Sequence, residues 1–226
     1  DDDAQLFVDS GATVNLGFAG SDTVHALVLS GSPVAAGTWG RIGSGADNES
    51  SQITGDGLIN NTGGTLWSYW DGLNTGGTGD GASAGGNGIW STSNDNWDQG
   101  SGPRVVWSNA SDAKALFGTA VGTVTLGSDI TLGEMDIRGP NTTTPYYIGS
   151  ASETYTLNFG GSKTITSYGI YTTFRSGITG APTLNYTSRA GDNSSKLTLA
   201  PAGTLSQELG VVNVSKNMAN QRNAVL

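Results

Sequence analysis

Short apolar or alternating segments, bounded by Gly, Ser, Asn and Asp, recur along the whole chain. Each segment has the length of a β-strand, and from Val105 onward the segments return at intervals of about 8–12 residues. The pattern therefore predicts an all-β protein built as a sandwich, a barrel or a solenoid. The predicted strands are 6–9, 13–18, 25–31, 52–60, 105–107, 114–117, 121–126, 130–137, 146–148, 154–159, 163–166, 170–174, 182–186, 195–199, 204–206 and 210–214.

Composition supports the all-β prediction. Glycine supplies 36 of the 226 residues, roughly twice its usual share, and charged residues supply only 13%. Because few Lys and Glu are left to cover exposed helix faces, we expect helix in under about one tenth of the chain. A hydrophobic content of 35% is sufficient for a core, which argues against disorder. The chain contains no cysteine, which excludes disulfides and thiolate metal sites.

The segment 63–103 combines the highest glycine density with large aromatic side chains. A flexible linker does not need such side chains, each of which buries about 150–250 Å² when packed. We therefore predict an ordered, irregular loop or cap in which Trp90 and Trp97 are mostly buried. The large aromatic residues of this segment are Trp67, Tyr69, Trp70, Trp90 and Trp97.

The order of short motifs from residue 70 to residue 137 is distinctive. The chain passes through WDG, GIW, NWD and ALFG and then enters two nearly uncharged segments, TVTLG and ITLGEMDI. This order resembles the tryptophan-rich module starts of very large bacterial surface proteins, the autotransporter passengers built from autotransporter-associated β-strand repeats. Upstream, AGTWG at 36–40 followed by QITGDGLIN at 52–60 resembles the end of such a module.

The resemblance implies a fold, a function and a location. The implied fold is a right-handed parallel β-helix, or β-solenoid, with irregular Gly/Trp-rich loops; β-sandwich or jelly-roll modules are the alternative. The implied function is that of a structural or adhesive segment of a large secreted bacterial surface protein, which forms a stiff stalk or an extracellular filament. A glycan-binding or glycan-degrading β-helix is the alternative function.

The motif order divides the chain into three parts. Residues 1–62 are the predicted tail of one β-repeat module, 63–103 the Gly/Trp-rich loop or cap, and 104–226 a second module. The opening Asp1-Asp2-Asp3 does not resemble a signal peptide, and the alternation ending at Ala224-Val225-Leu226 stops without a turn. We therefore expect an internal piece of a longer chain, in which the second module continues.

Charge is distributed unevenly. Residues 1–100 contain twelve acidic residues and one basic residue, giving −11, whereas residues 101–226 contain seven acidic and nine basic residues, giving +2. There is no basic cluster of the kind that binds nucleic acid, and no apolar run reaches the roughly 18 residues of a membrane helix. The unlike halves and the unfinished end strands predict head-to-tail self-association, or pairing with neighbouring modules of the same chain. Surface glycans are a further predicted partner.

The sequence provides few residues for catalysis. His25 is the only histidine and lies between apolar residues, which favours a half-buried strand position over a metal site or a catalytic triad. The acidic pairs Asp95/Asp98 and Glu134/Asp136 have a common spacing, and paired catalytic carboxylates usually come from distant segments. We therefore predict no catalytic residues and a protein that is not an enzyme.

Two sets of residues are candidates for binding. Tryptophan rings can stack on sugars, and loop carboxylates can hold Ca²⁺, which accepts about six to eight oxygens. GGTGD at 76–80 only approaches the pattern of calcium-binding β-rolls, and no cofactor other than calcium is expected. Tyr146 and Tyr147 are interpreted as packing residues. The platform candidates are Trp67, Trp70, Trp90 and Trp97, and the calcium candidates are Asp71, Asp80, Asp95 and Asp98.

Overall fold

The computed structural model describes residues 4–73, 79–100, 103–139, 144–168, 171–188 and 196–216. Across these residues it contains 22 strands and no helix, which confirms the all-β prediction. The chain divides into two compact units, unit 1 (Asp1–Leu66) and unit 2 (Trp67–Leu226). In the described part of the chain, no helix is long and apolar enough to cross a membrane.

Unit 1 contains nine short strands in three small sheets. Their bounds are β1 Gln5–Val8, β2 Val14–Leu16, β3 Ser21–Val24, β4 Ala26–Leu29, β5 Ser32–Pro33, β6 Gly37–Gly40, β7 Asn48–Glu49, β8 Ile53–Gly55 and β9 Leu58–Asn61. The strand orders are β1-β4-β5, β2-β8 and β3-β9-β6-β7, with both parallel and antiparallel pairs. Inward side chains such as Leu27, Ile53 and Ile59 are at most 3% exposed and form the core of this unit.

Unit 2 contains thirteen strands in two larger sheets. Their bounds are β10 Trp67–Trp70, β11 Gly88–Trp90, β12 Trp97–Asp98, β13 Lys114–Gly118, β14 Thr123–Leu126, β15 Ile130–Arg138, β16 Tyr146–Ile148, β17 Thr156–Tyr168, β18 Thr172–Phe174, β19 Gly177–Thr179, β20 Thr183–Ser188, β21 Leu197–Leu199 and β22 Val211–Lys216. The long sheet has the order β12-β10-β13-β15-β17-β20-β22, with β19 beside β17. The short sheet has the order β11-β14-β16-β18-β21.

Successive strands of unit 2 alternate between the long and the short sheet from β13 to β18. All neighbouring strands in these sheets are parallel, except that β10 and β12 are antiparallel. We call a pass one stretch of chain that runs through both sheets. A strand therefore hydrogen-bonds to a strand of the same sheet in the next pass: Glu134 pairs with Thr164, and Thr164 pairs with Thr183. Both sheets are open, and the long sheet is mixed because of β12.

Parallel pairing in register stacks inward side chains into columns, because successive residues of a strand point to opposite faces. Ala115, Met135, Ile165 and Leu184 occupy one such column on four neighbouring strands of the long sheet. Each of these side chains is at most 1% exposed. They belong to one continuous hydrophobic core, which also receives the inward residues of the short sheet.

The two edges of the long sheet differ from each other. At one edge, β12 covers the outer side of β10. At the other edge, β22 has no outer partner among the described residues, and its Val211, Val212 and Val214 are 53%, 39% and 37% exposed. Unit 2 thus has one covered edge and one that presents apolar side chains.

Several predicted strand boundaries are wrong for a local reason. The predicted strand 52–60 is two strands, β8 and β9, which join different sheets. Gly55, the last residue of β8, has φ +83°, a conformation that glycine adopts without strain. Segments 154–159 and 163–166 form the single strand β17. AGTWG, which lies outside the predicted strands, contains β6.

The other differences concern weakly patterned segments. The segment 63–103, predicted as irregular, contains the three short strands β10, β11 and β12. Conversely, 105–107 provides only an isolated bridge from Val105 to Trp97, and 204–206 forms no strand. Strands of two to four residues contain too few alternations for a period of two to be recognised.

Candidate functional site

An aromatic cluster fills the beginning of unit 2. Strands β10, β11 and β12 place Trp70, Trp90 and Trp97 in the core, and all three are 0% exposed. The ring centroids of Trp97 lie 5.1 Å from Trp70 and 5.0 Å from Trp90, both in edge-to-face geometry. Trp107 and Phe117 pack against the same rings. The prediction that Trp90 and Trp97 are buried is confirmed.

Burial limits which of the platform candidates can contact a sugar. Trp70, Trp90 and Trp97 present no ring face to solvent, so their rings are unavailable as a stacking surface in this structure. Trp67 is half-buried, and Lys114 Nζ lies 5.6 Å from its ring centroid. Trp67 and Trp70 lie three positions apart on β10, so alternation places them on opposite faces of the sheet.

A buried carboxylate, Asp98, holds the glycine-rich loops of this region. Its Oδ2 accepts hydrogen bonds from the backbone N–H groups of Asp80 at 2.9 Å and Gly81 at 3.2 Å. Its Oδ1 accepts a hydrogen bond from the N–H of Gly100 at 2.5 Å. Asp98 is 1% exposed, so it supplies acceptors for backbone donors that would otherwise have to remain in water.

Asp71 is a second buried carboxylate, 0% exposed. Its Oδ1 accepts a hydrogen bond from Ala84 N–H at 2.9 Å, and its Oδ2 lies 3.3 Å from Arg104 Nε. Burial raises the pKa of Asp71 to about 6, the contacts with Ala84 and Arg104 oppose this rise, and the charges of Asp98 and Asp80 add to it. Burial also raises the pKa of Asp98 above its usual range.

The four calcium candidates do not form a set of metal ligands in the described part of the chain, although Asp71, Asp80 and Asp98 are near one another. Asp98 accepts hydrogen bonds from backbone N–H groups, Asp71 faces Ala84 N–H and Arg104, and Asp80 and Asp95 are exposed loop residues. Among the described residues there is no group of three or more His, Cys, Asp or Glu side chains suited to a metal ion. Residues 76–78 of the GGTGD motif lie outside the described residues. Calcium binding therefore stays a prediction.

His25 is half-buried, as predicted, although it lies between β3 and β4 and not within a strand. Its Nε2 is 3.1 Å from the carbonyl oxygen of Thr65. This contact fixes the ring against the backbone of unit 1.

The outer face of the long sheet carries cations that are paired with carboxylates. Lys114 on β13 lies 3.6 Å from Glu134 on β15. Arg138 donates to Asp136 Oδ2 through Nε at 2.8 Å and through Nη2 at 2.5 Å. Burial raises the pKa of Asp136, and its hydrogen bond with Arg138 opposes that rise. The charges of Lys114 and Arg138 are therefore compensated by neighbours.

The outer face of the short sheet carries cations without such neighbours. Arg175 places its guanidinium carbon 3.7 Å from the ring centroid of Tyr147, and Lys196 places Nζ 5.5 Å from that of Tyr171. Among the described residues, no carboxylate lies within 4.0 Å of either cation. Tyr146 is buried as predicted, but Tyr147 points outward, because adjacent residues of a strand face opposite sides.

No sequence motif marks the pairs Arg175/Tyr147 and Lys196/Tyr171. The members of each pair are about 25 residues apart and meet only through parallel pairing of β16 with β18 and of β18 with β21. The register of these strands is therefore the signal that identifies the cationic face.

The chain resembles a segment of an autotransporter adhesin. It is 36% identical over 159 residues to the "Adhesin BmaC autotransporter" of Brucella suis biovar 1 (strain 1330). The alignment covers 67% of this chain and 4% of that protein. No protein-family profile and no solved structure matches the chain. The similarity supports a link to an autotransporter passenger, and the chain spans only a small fraction of the relative's length.

Trp97→Ala should lower the free energy of unfolding by about 3–5 kcal/mol, because it opens a cavity among Trp70, Trp90 and Trp107. Trp67→Ala is the matched control. It removes the same side chain from a half-buried outward position and should cost about 1 kcal/mol or less. Urea denaturation followed by circular dichroism measures both losses, and equal losses would contradict the different burial of the two rings.

Stability should fall as pH rises through the titration of Asp71. The folded chain binds this proton more tightly than the unfolded chain, since the pKa is about 6 in the fold against 3.8 for the free group. The protonated form therefore stabilises the fold below about pH 4, and this contribution of up to about 3 kcal/mol is lost by pH 7. Asp71→Asn should reduce the fall in unfolding free energy between pH 4 and pH 7.

For Asp71→Asn, the appropriate readout is the change of the unfolding free energy with pH and not its absolute value, because Arg104 loses its carboxylate partner at every pH. Asp95→Asn removes the same charge from an exposed loop and controls for net charge. The assignment is wrong if the two variants have the same pH profile in chemical denaturation.

Proposed function

We propose that this chain is an adhesive segment of a large bacterial surface protein, and that it acts through surface contacts and not through catalysis. The observation that carries the proposal is its 36% identity to an autotransporter adhesin. The same similarity supports an extracellular or cell-surface location. The proposal extends to this segment a property that the relative's name gives to the whole protein, of which the alignment covers 4%.

We further propose that unit 2 is part of a right-handed parallel β-solenoid of the autotransporter-associated repeat type. Three features support this: strands alternate between two sheets, neighbouring strands are almost all parallel, and inward side chains stack in columns. A sandwich or jelly roll would instead need mostly antiparallel neighbours. The repeat type and the hand rest on the motif order from WDG to ITLGEMDI.

A stalk or fibre is the mechanical role that suits such a scaffold. In a solenoid each pass bonds its backbone to the pass before and the pass after, so added passes extend the protein without needing a larger central core. Most backbone groups are then paired, which limits access for proteases. The stalk would project binding surfaces away from the cell.

Neighbouring modules of the same longer chain are the proposed partners of unit 2. The outer edge of β22, with its exposed valines, is suited to continued parallel pairing. At the opposite edge, β12 pairs with β10, and Trp97 is bridged to Val105. A second copy that pairs head to tail with the long sheet would have to displace β12. Self-association stays a prediction that this arrangement does not favour.

Adhesion is tested directly with beads coated with the folded chain. We expect such beads to bind mammalian epithelial monolayers several-fold more than beads coated with the Ile165→Asp variant. That variant places a charge at a position that is 0% exposed and should unfold unit 2. Soluble folded chain should compete with the beads. Equal retention of the two kinds of bead would refute the adhesive function.

The solenoid architecture is tested by removing one full pass of chain. Deletion of residues 134–163 joins Gly133 to Thr164, which takes the place of its register partner Glu134. The remaining strands can then pair in register, so we expect a single cooperative thermal transition and a β-type circular dichroism spectrum. Deletion of 134–148 removes half as many residues and takes away β16, so two consecutive segments of the long sheet follow each other with no short-sheet strand between them, and this control should not fold. If neither deletion folds, the solenoid proposal fails.

A further inference from the structure

Four cations beside the two sheets of unit 2 fall into two classes, and Lys163, exposed on β17, is a further cation with no carboxylate within 4.0 Å among the described residues. On the long sheet, Lys114 and Arg138 are bound to carboxylates at 3.6 and 2.5 Å. On the short sheet, Arg175 and Lys196 lie over tyrosine rings and have no carboxylate within 4.0 Å among the described residues. In a protein of net charge −9, two uncompensated cations on one face are a local exception.

The carboxylate of Glu153, which follows β16, does not neutralise this face. Its side chain is buried, and its two oxygens accept hydrogen bonds from four backbone N–H groups. These donors are Leu126, Ser150, Thr154 and Tyr155, at 3.0–3.2 Å. Glu153 therefore holds a turn, and Arg175 keeps its charge available.

The position of Arg175 over the ring of Tyr147 prepares it to bind an anion. Cation–π attraction holds the guanidinium over the ring, and its N–H groups lie in the plane of the guanidinium fork. These N–H groups match the paired oxygens of a carboxylate or a sulfate. Arg175 is half-buried and Lys196 is exposed, so a ligand can reach both from solvent.

The two cations are arranged on a regular grid of strands. Tyr147 is the register partner of Thr173, and Tyr171 lies two residues before Thr173 on the neighbouring strand. Neighbouring strands are about 4.8 Å apart and two residues span about 6.6 Å along a strand, so the Cα atoms of the two tyrosines are roughly 8 Å apart. Thr123, the register partner of Tyr147 on β14, adds a half-buried hydroxyl to the same row.

We propose that the outer face of the short sheet binds an acidic polysaccharide. Arg175 and Lys196 contact carboxylate or sulfate groups on different sugar units of one chain. The threonine side of the face, with Thr123 and Thr125 half-buried on β14, provides hydroxyls for hydrogen bonds to sugar hydroxyls. This inference rests on the proposed function, which places the chain at the cell surface, and it adds the chemical class of ligand that the short sheet contacts.

The face fits a polysaccharide better than other polyanions. Nucleic-acid binding draws on many clustered cations, and in the described part of the chain only two uncompensated cations lie on this face. An anionic membrane would be expected to engage a larger basic patch or exposed apolar anchors. A linear polysaccharide combines spaced negative charges with many hydroxyls, which is the combination that two cations and a threonine row can meet.

The test is binding of the purified 226-residue chain to immobilised sulfated dextran, with neutral dextran of the same length as the reference. We expect binding to the sulfated polymer that weakens with salt, and none to the neutral one. The double variant Arg175→Ala/Lys196→Ala should lose about tenfold or more in affinity. Arg175→Lys keeps the charge but loses the fork, and should lose affinity by a smaller factor.

The matched control is the double variant Lys114→Ala/Arg138→Ala, which removes the same two charges from the compensated face. It should change the affinity by less than about twofold, because these cations already have carboxylate partners. Thermal melts establish that each variant is folded; Arg175→Gln/Lys196→Gln replaces the alanine pair if that pair unfolds.

Three results would overturn the proposal: equal losses in the two double variants, equal binding to neutral dextran, or tighter binding to duplex DNA than to sulfated dextran. The bead assay for adhesion is independent of this test. Adhesion without polysaccharide binding removes only the present inference, whereas polysaccharide binding without adhesion removes only the proposed function.

Discussion

Parallel backbone pairing between successive passes of the chain is the interaction on which unit 2 depends. Each strand from β13 to β18, and also β20, lies between two strands contributed by other passes, so its N–H and C=O groups find partners on both sides. This pairing fixes the register and thereby stacks Ala115, Met135, Ile165 and Leu184 into one column. The narrow core, the outer faces and the open edge at β22 all follow from it.

At one end of the long sheet, β12 covers the edge of β10, and edge-to-face tryptophans fill the core beside these strands. Acidic side chains supply acceptors where the loops have no ladder, as at Asp98 and Glu153. Some acidic side chains of this protein therefore accept internal hydrogen bonds and do not contribute to the surface charge.

The two outer faces show how one scaffold presents different chemistry. Because inward positions are committed to the core, only alternate residues are free to vary, and the long sheet uses them for ion pairs such as Arg138 with Asp136. The short sheet uses them for Arg175 on Tyr147 and leaves the charge uncompensated. Surface specificity in such a scaffold depends on which side chains register places side by side.

The sequence by itself determined the all-β class, most strand positions after residue 113, and the burial of Trp90 and Trp97. These are local properties: alternation, turn residues and the need of large rings for a core. Tertiary structure alone decided that β8 and β9 separate, that Trp67 and Tyr147 face outward, and that Arg175 meets Tyr147. Strand pairing joins residues from different passes, and no local pattern records which strands will become neighbours.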